Sequence, residues 1–461
     1  MSKTSVRDLT KGPPMKLILG FMLPLFFGIL FQQFYNMVDT IVVGRYIGLD
    51  ALAGVGSTGS VNFLVIGFVI GVCAGFAIPV AQKFGSKDYE TLRKYVGNTI
   101  WITIVFAAVL TTATCLLCGK ILEWMNTPED VFRQAYDYIF VIFLGIPVTF
   151  CYNILSGFIR SLGDSRTPVI FLVISSLLNI ALDIFTIVVL GMGVSGAGVA
   201  TVISQAFSSV LCLIFIIKRM ELLHLKKADL KPDFRYIGRL CAVGLPMGLQ
   251  YSITAIGTII LQTAVNGLGS VYMASVTAGN KVGQFMCCPF DAMGSTMATY
   301  GGQNIGAGEL KRVRRGLFDC IILGIIWSIA AMVIAILFGG DLSALFLDAS
   351  DPKTAENIGL IREYSRHFLM INSFFYIPLA FVNIVRFMIQ GMGYSQVALY
   401  AGVSELVARG AAALALVPVF GFEAICLANP LAWVLADLFL IPAFFVCYNS
   451  VKKRLTAREN I

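Results

Sequence analysis

Apolar residues in this chain come in long unbroken runs, not in the one-faced stripe of a surface helix or the alternation of a half-buried strand. Runs long enough to cross a bilayer, for which about 20 residues are needed, extend from Leu17 to Val43, Leu52 to Ala81, Val96 to Cys118, Tyr138 to Phe158, Val169 to Leu190 and Val194 to Ile217. Six more run from Leu240 to Val265, Met273 to Tyr300, Leu317 to Phe338, Phe368 to Phe387, Val397 to Phe420 and Ala424 to Cys447. None alternates like a barrel strand. The pattern predicts an all-α fold, a polytopic membrane protein with twelve transmembrane helices. The first run is too long for a signal-peptide core and no small-residue cleavage site follows it, so it is expected to be retained, with the mature chain starting near Met1.

The most basic and least apolar stretch, Lys218 to Arg239, follows the sixth run and reads as a linker. It predicts an N-lobe of residues 1–217 with helices 1–6, a cytoplasmic linker of residues 218–239 and a C-lobe of residues 240–461 with helices 7–12. The halves repeat. LPLFFG at Leu23 to Gly28 returns as LPMGLQ at Leu245 to Gln250, and QKFGSK at Gln82 to Lys87 as QNIGAG at Gln303 to Gly308. YNILSGFIRSLGDS at Tyr152 to Ser165 matches VNIVRFMIQGMGYS at Val382 to Ser395, and the Gly191 turn matches Gly421. An even number of helices per half brings each half back to its starting side, so the repeats are parallel and pseudo-symmetric, with a substrate site expected between the lobes.

Composition removes the soluble classes: 57% of residues are hydrophobic, 13% are charged, and mean hydropathy is +0.83. A net charge of +8 would suggest an acidic partner in a soluble protein. Its distribution says otherwise. With the N-terminus inside, 25 basic residues fall on inside segments, from Lys3, Arg7, Lys11 and Lys16 through the linker to Lys452, Lys453, Arg454 and Arg458. Only Arg45, Lys120, Arg133, Lys353, Arg362 and Arg366 fall outside. The bias predicts a multi-pass inner (cytoplasmic) membrane protein with both termini cytoplasmic and no nucleic-acid partner. Membrane lipids are its expected surroundings, and a monomer suffices because both lobes lie in one chain. The eleven cysteines lie mostly in apolar runs, and the two histidines, His224 and His367, sit in a loop and near a helix start, so no metal or disulfide framework is read from them. No HExxH, GxSxG or P-loop pattern is present, which argues against an enzyme, a cofactor or direct ATP use.

The informative residues are the polar ones inside the apolar runs. A carboxylate facing lipid at mid-membrane costs about 2.5 to 3.5 kcal/mol on the lenient insertion scale, so each needs a partner or a cavity. Gln32, Tyr35, Asn36 and Asp39 form one polar stripe along the first helix. Asn179 and Asp183 stand one turn apart on the fifth. Asn153 and Thr201, at comparable depths, could complete a proton or sodium site as oxygen donors, although buried Asn and Thr also serve as glue between helices. In the second half, Gln250 and Thr254 begin one stripe, and Gln284 and Asp291 belong to another that includes Lys281 and Cys288. Tyr376, Asn383, Arg386 and Gln390 make a third, with Arg386 free to snorkel to the cytoplasmic surface. Glu405 and Arg409 read as a self-neutralising i,i+4 pair, and Asp437 has no assigned role.

Together these features resemble the multidrug and toxic compound extrusion (MATE) family, within a superfamily that also holds lipid-linked oligosaccharide flippases. The resemblance covers nearly the whole chain. It rests on LPLFFGILFQQFYNMVDTIVVGRYIGLDALAGVG from Leu23 to Gly56, the QKFGSKD loop, the NILSGFIRSLGDSRTP turn and the two-lobe plan, with Asp39 in NMVDTIVVG the most specific signal. It implies an antiporter that expels organic cations and other small drug-like molecules against inward proton or sodium flow. The matching coupling positions are Asp39, Asn153, Asn179, Asp183 and Thr201, with Asp39, Asn179 and Asp183 as the sodium ligands if sodium is the ion. Gln32, Tyr35, Asn36, Gln250, Thr254, Gln284, Asp291 and Tyr376 are the expected lining of the substrate cavity. One branch of the family carries a seventh-helix glutamate, but LPMGLQYSITAIG has no acid. The chain therefore resembles the DNA-damage-inducible branch. Two competing readings are a flippase for a lipid-linked oligosaccharide or peptidoglycan precursor and a membrane-embedded enzyme. Twelve spans leave no extra helix pair for a lipid-tail groove, and an anionic pyrophosphate would call for several cavity arginines.

Overall fold

A computed structural model describes residues 7–125, 127–347 and 352–459. Lys3, counted above among the inside basic residues, and the expected start at Met1 lie outside the described residues. All twelve apolar runs are helical, and no strand occurs among the described residues. The first half forms α1 (Pro14–Tyr46), α2 (Leu49–Ser57), α3 (Gly59–Gly85), α4 (Tyr89–Trp124), α5 (Glu129–Leu144), α6 (Ile146–Ser161), α7 (Arg166–Ile184) and α8 (Val194–Arg219). The second half forms α9 (Phe234–Asn266), α10 (Ser270–Gly306), α11 (Leu310–Ala344), α12 (Pro352–Phe374), α13 (Tyr376–Gly391), α14 (Ser395–Ala411), α15 (Val417–Phe420) and α16 (Phe422–Glu459). Among the described residues, nine spans are long and apolar enough to cross a membrane by themselves, and two bent pairs qualify jointly. The remaining run is α10, whose 37 residues are ample but which carries Lys281, Gln284 and Asp291.

Several runs predicted as single helices are broken, each at a residue that explains it. The second run splits at Thr58, inside the small-residue stretch AGVGSTG, where Gly and Ser give little helical preference. The fourth bends by 48° between α5 and α6, just before Pro147, and the tenth by 52° between α12 and α13, just before Pro378. A proline lacks the N–H that would bond back into the preceding turn. The fifth and eleventh runs each widen into a π turn, Phe185–Val189 and Ala412–Leu416, shortly before Gly191 and Gly421. Kinks and π turns at matched places repeat between the halves as the sequence motifs do.

The chain divides into two compact units. The described residues of the first fall within Met1–Lys11, Leu23–Ser252 and Gly302–Gly308. Its core packs α3 on α6, with Phe76 of α3, Phe150 of α6 and Phe143 of the neighbouring α5 all fully buried in one cluster, and the Ser161 hydroxyl donates across to the Ala77 carbonyl at 2.9 Å. Lipid is as apolar as leucine, so close packing and such bonds, not exclusion from water, hold membrane helices together. The N-terminal segment is tied into this unit. Leu9 N–H donates to Gln303 Oε1 at 2.9 Å, Gln303 Nε2 donates to Ser161 O at 2.8 Å, and Arg7 N–H donates to Leu162 O at 3.1 Å. Gly163 follows at φ +90°, and a Cβ there would stand 1.9 Å from Arg7 O.

The basic stretch after α8 is ordered and docked on α4. Arg93 Nε lies 3.4 Å from buried Asp229. Trp101 Nε1 donates to Leu230 O at 2.7 Å, and Asn98 Oδ1 accepts from Asp233 N–H at 2.8 Å. Gly97 permits the approach, since a Cβ there would meet Asp229 O at 2.1 Å.

The described residues of the second unit fall within Gly12–Met22, Ile253–Gly301 and Glu309–Ile461. Its interior includes Phe290 and Tyr376 with ring centroids 5.9 Å apart, and Trp327 Nε1 donates to Met286 O at 2.9 Å. Tyr272, Tyr364 and Phe422 form an aromatic triangle with centroids 4.8 to 5.1 Å apart, joining α10, α12 and α16.

Candidate functional site

In the first unit α1, α5, α7 and α8 bring one set of polar side chains together. Asn179 and Asp183 occupy one face of α7, with exposures of 1% and 0%. One helical turn separates them, so both point the same way. Asn179 Nδ2 donates to Thr201 Oγ1 on α8 at 3.5 Å, and the Thr201 hydroxyl donates to Ala197 O at 3.0 Å. From α1, Asp39 stands beside Asp183, and Tyr35 brings its hydroxyl within bonding reach of Thr201.

What distinguishes the cluster is its surplus of acceptors. Asp39 Oδ1, Asn179 Oδ1 and both Asp183 oxygens are buried with no hydrogen-bond partner. Buried polar atoms left unpaired are costly, and two ionised carboxylates side by side cost more. A proton or a cation placed among these oxygens relieves both. The donor set of two carboxylates, an amide carbonyl and hydroxyls is hard oxygen chemistry, which fits a proton or an alkali cation and not a soft transition metal. Among the described residues no group of three or more His, Cys, Asp and Glu side chains could hold a metal ion.

The stripe read from the first helix divides. Tyr35 and Asp39 are half-buried and face the cluster, while Gln32 and Asn36 are exposed. Asn153 bonds back into its own helix, Nδ2 donating to Thr149 O at 2.8 Å. Sequence reasoning missed Tyr138. Its side chain on α5 is close enough to feel both the Asp39 and the Asp183 charges, and it is 8% exposed. A phenol at the start of an apolar run was the available signal, but nothing in linear spacing ties α5 to α1 or α7.

The second-half residues fall on α9, α10 and α13. Gln250 is buried and Thr254 half-buried, the latter's carbonyl accepting from the Thr258 hydroxyl at 3.0 Å. Gln284 and Asp291 are exposed along α10. Tyr376 is buried, its hydroxyl 3.8 Å from Met286 Sδ and its ring against Trp433. Arg386 corrects the sequence reading: it does not snorkel but is 5% exposed and pairs with Glu405. Glu405 also holds Arg409 at 3.3 Å. The i,i+4 pair is therefore part of a larger cluster, brought about by α13 packing beside α14.

Comparison with known proteins places this architecture. The MatE family profile matches residues 24–185 and 246–411, one copy in each half. The probable multidrug resistance protein YoeA of Bacillus subtilis strain 168 is 30% identical over 336 residues, covering 71% of this chain and 72% of that protein. A Shewanella oneidensis MR-1 protein named FAD transporter is 21% identical over 354 residues, covering 76% and 77%. An outward-facing multidrug resistance MATE family transporter of the MOP superfamily superposes with a TM-score of 0.88 at 21% identity, covering 98% of this chain and 100% of that one. The repeated profile, the relatives and the twelve-helix fold agree, and the chain belongs to the MATE family of multi-pass membrane transporters.

Proposed function

We propose that the protein is a secondary active antiporter that exports small amphipathic or cationic molecules in exchange for protons or sodium, with the exchange centred on Asp39 and Asp183. The observation that supports this most is the group of buried, unpaired oxygens on Asp39, Asn179 and Asp183. In that setting the inward-moving ion and a cationic cargo compete for the same negative charge. Occupancy by one lowers the affinity for the other, which is what exchange requires. Tyr35 and Thr201 orient the group, and Asn179 supplies an amide oxygen. One charge crossing 100 mV releases about 2.3 kcal/mol, a sufficient scale for concentrative export. The basic bias of the inside segments supports cytoplasmic termini in the cell's inner membrane. One chain holds both repeats, which supports a working monomer needing no cofactor beyond the coupling ion.

The test is proteoliposomes loaded with ethidium under imposed proton or sodium gradients, wild type against Asp39→Asn. Gradient-driven movement that disappears in the variant supports the reading and identifies the ion. Should the dye stay put under both gradients while labelled lipid-linked precursor or FAD crosses, cation export is ruled out.

A further inference from the structure

The second unit holds a charged cluster that the exchange centre does not use. Arg386 on α13 and Arg409 on α14 share one carboxylate, Glu405, and the three are 4% to 6% exposed. Arg409 Nε also donates to Asn429 Oδ1 on α16 at 3.0 Å. Arg409 lies close against α9 at Gly257, where a Cβ would come within 3.3 Å of its Cδ. Two guanidiniums on one carboxylate leave a net charge of +1 out of water, a costly arrangement unless another anion answers it. Arg386 Nε and Arg409 Nη1 are buried and have no hydrogen-bond partner.

Asp437 is the other acid within range. It follows Asn429 on α16 by about two turns and so lies near the same face. Its charge is felt by the cluster through Arg386 and Glu405, its Oδ1 is buried and unpartnered, and no ion pair fixes it to either guanidinium. We propose that Asp437 is a second proton-binding site of the transporter, whose occupancy switches the Arg386–Glu405–Arg409 cluster between neutral and singly positive.

The four charges cancel when Asp437 is ionised. A proton on Asp437 leaves +1. Glu405 is clamped from two sides by Arg386 and Arg409, whereas Asp437 can take up a proton without breaking an ion pair. The groups facing it are few. Arg386 comes from α13, whose Tyr376, nearly three turns before it, packs against Trp433, one turn from Asp437 on α16. Glu405 and Arg409 come from α14, with Tyr400 against Phe439 on the outer side. The π turn Ala412–Leu416 and α15 carry no titratable side chain. α12 brings His367 to Glu423, a pair about four turns away along α16. Acting on the proposed exchange, with the proton as the ion, the switch makes the second unit repel a cationic cargo when Asp437 is protonated. Proton loading of Asp437 thus opposes cation binding by the second unit.

The experiment is infrared difference spectroscopy of the purified full-length protein between acid and alkaline buffer, which needs no transport. Wild type should show a titrating carboxyl C=O band that loses one carboxyl equivalent in Asp437→Asn, is retained in Asp437→Glu, and is distinct from the band lost in Asp39→Asn. In parallel, protons released on adding ethidium should fall by one per protein in Asp437→Asn. A band unchanged in Asp437→Asn overturns the proposal. If wild type shows no gradient-driven dye movement yet the Asp437 band titrates, the proton site stands and the antiport reading fails.

Discussion

At the scale of single residues, the first unit buries oxygens of Asp39, Asn179 and Asp183 that have no hydrogen-bond partner. Asp39, Asn179 and Asp183 announce themselves because an acid inside an apolar run needs a partner, and helical spacing puts Asn179 and Asp183 on one face. Tyr138 joins them only through helix packing, and Asn153, equally visible in sequence, spends its amide on Thr149. This contrast gives a prediction. Asn179→Ala and Asp183→Asn should each lower gradient-driven dye export by tenfold or more in proteoliposomes, while Asn153→Ala should retain most of it.

Asp88 shows the same logic outside the membrane segments. It caps α4, accepting from Thr91 N–H at 3.1 Å, and receives Lys83 Nζ at 2.7 Å. Partial desolvation opposes its ionisation, but the Lys83 and Thr91 bonds outweigh it and hold the carboxyl down at about 2. A carboxyl whose folded value is depressed contributes stability above its unfolded value, and that contribution is lost as pH falls from about 4 through about 2. The two side chains are 33% and 36% exposed, so the pair is screened and its share is about 1 kcal/mol or less. Asp88→Ala should therefore lower the melting temperature at pH 7 and change it little at pH 2.

At the scale of elements, hydropathy located every span but could not show where a span breaks. The bends before Pro147 and Pro378 and the π turns before Gly191 and Gly421 come from backbone hydrogen bonding, which an apolar run conceals. Composition marks the stretch after α8 as a linker but does not show how it is held: one buried carboxylate and one missing side chain are enough to dock it, Asp229 against Arg93 and Gly97. Gly97→Val should destabilise the purified protein by about 1 to 3 kcal/mol, the usual penalty of overpacking. Thermal unfolding in detergent would measure it, with Gly238→Val, where a Cβ meets nothing within 4 Å, as the control.

At the scale of the whole molecule, two copies of one six-helix plan lie in tandem, and the copies have diverged in charge. Among the described residues, Asp39 and Asp183 of the first half pair with no arginine, whereas the second encloses Arg386, Glu405 and Arg409. Sequence showed the repeat through its Pro, Gln and Gly punctuation. It could not show that Arg386 is turned inward, because a long side chain on a helix can reach water or a neighbour with equal ease.

The docked stretch after α8 has a consequence for how the chain meets a protease. Its basic side chains are exposed and, apart from Lys231 before Pro232, would each be a trypsin site, but cleavage requires the local backbone to open out into the enzyme's cleft. Bonds from Asn98 and Trp101 resist that opening. In the purified protein, trypsin should therefore trim the tail at Lys452 to Arg454 well before it cuts between Lys226 and Arg235, and Gly97→Val should erase the delay. The segment richest in cutting sites would then be among the slowest to be cut.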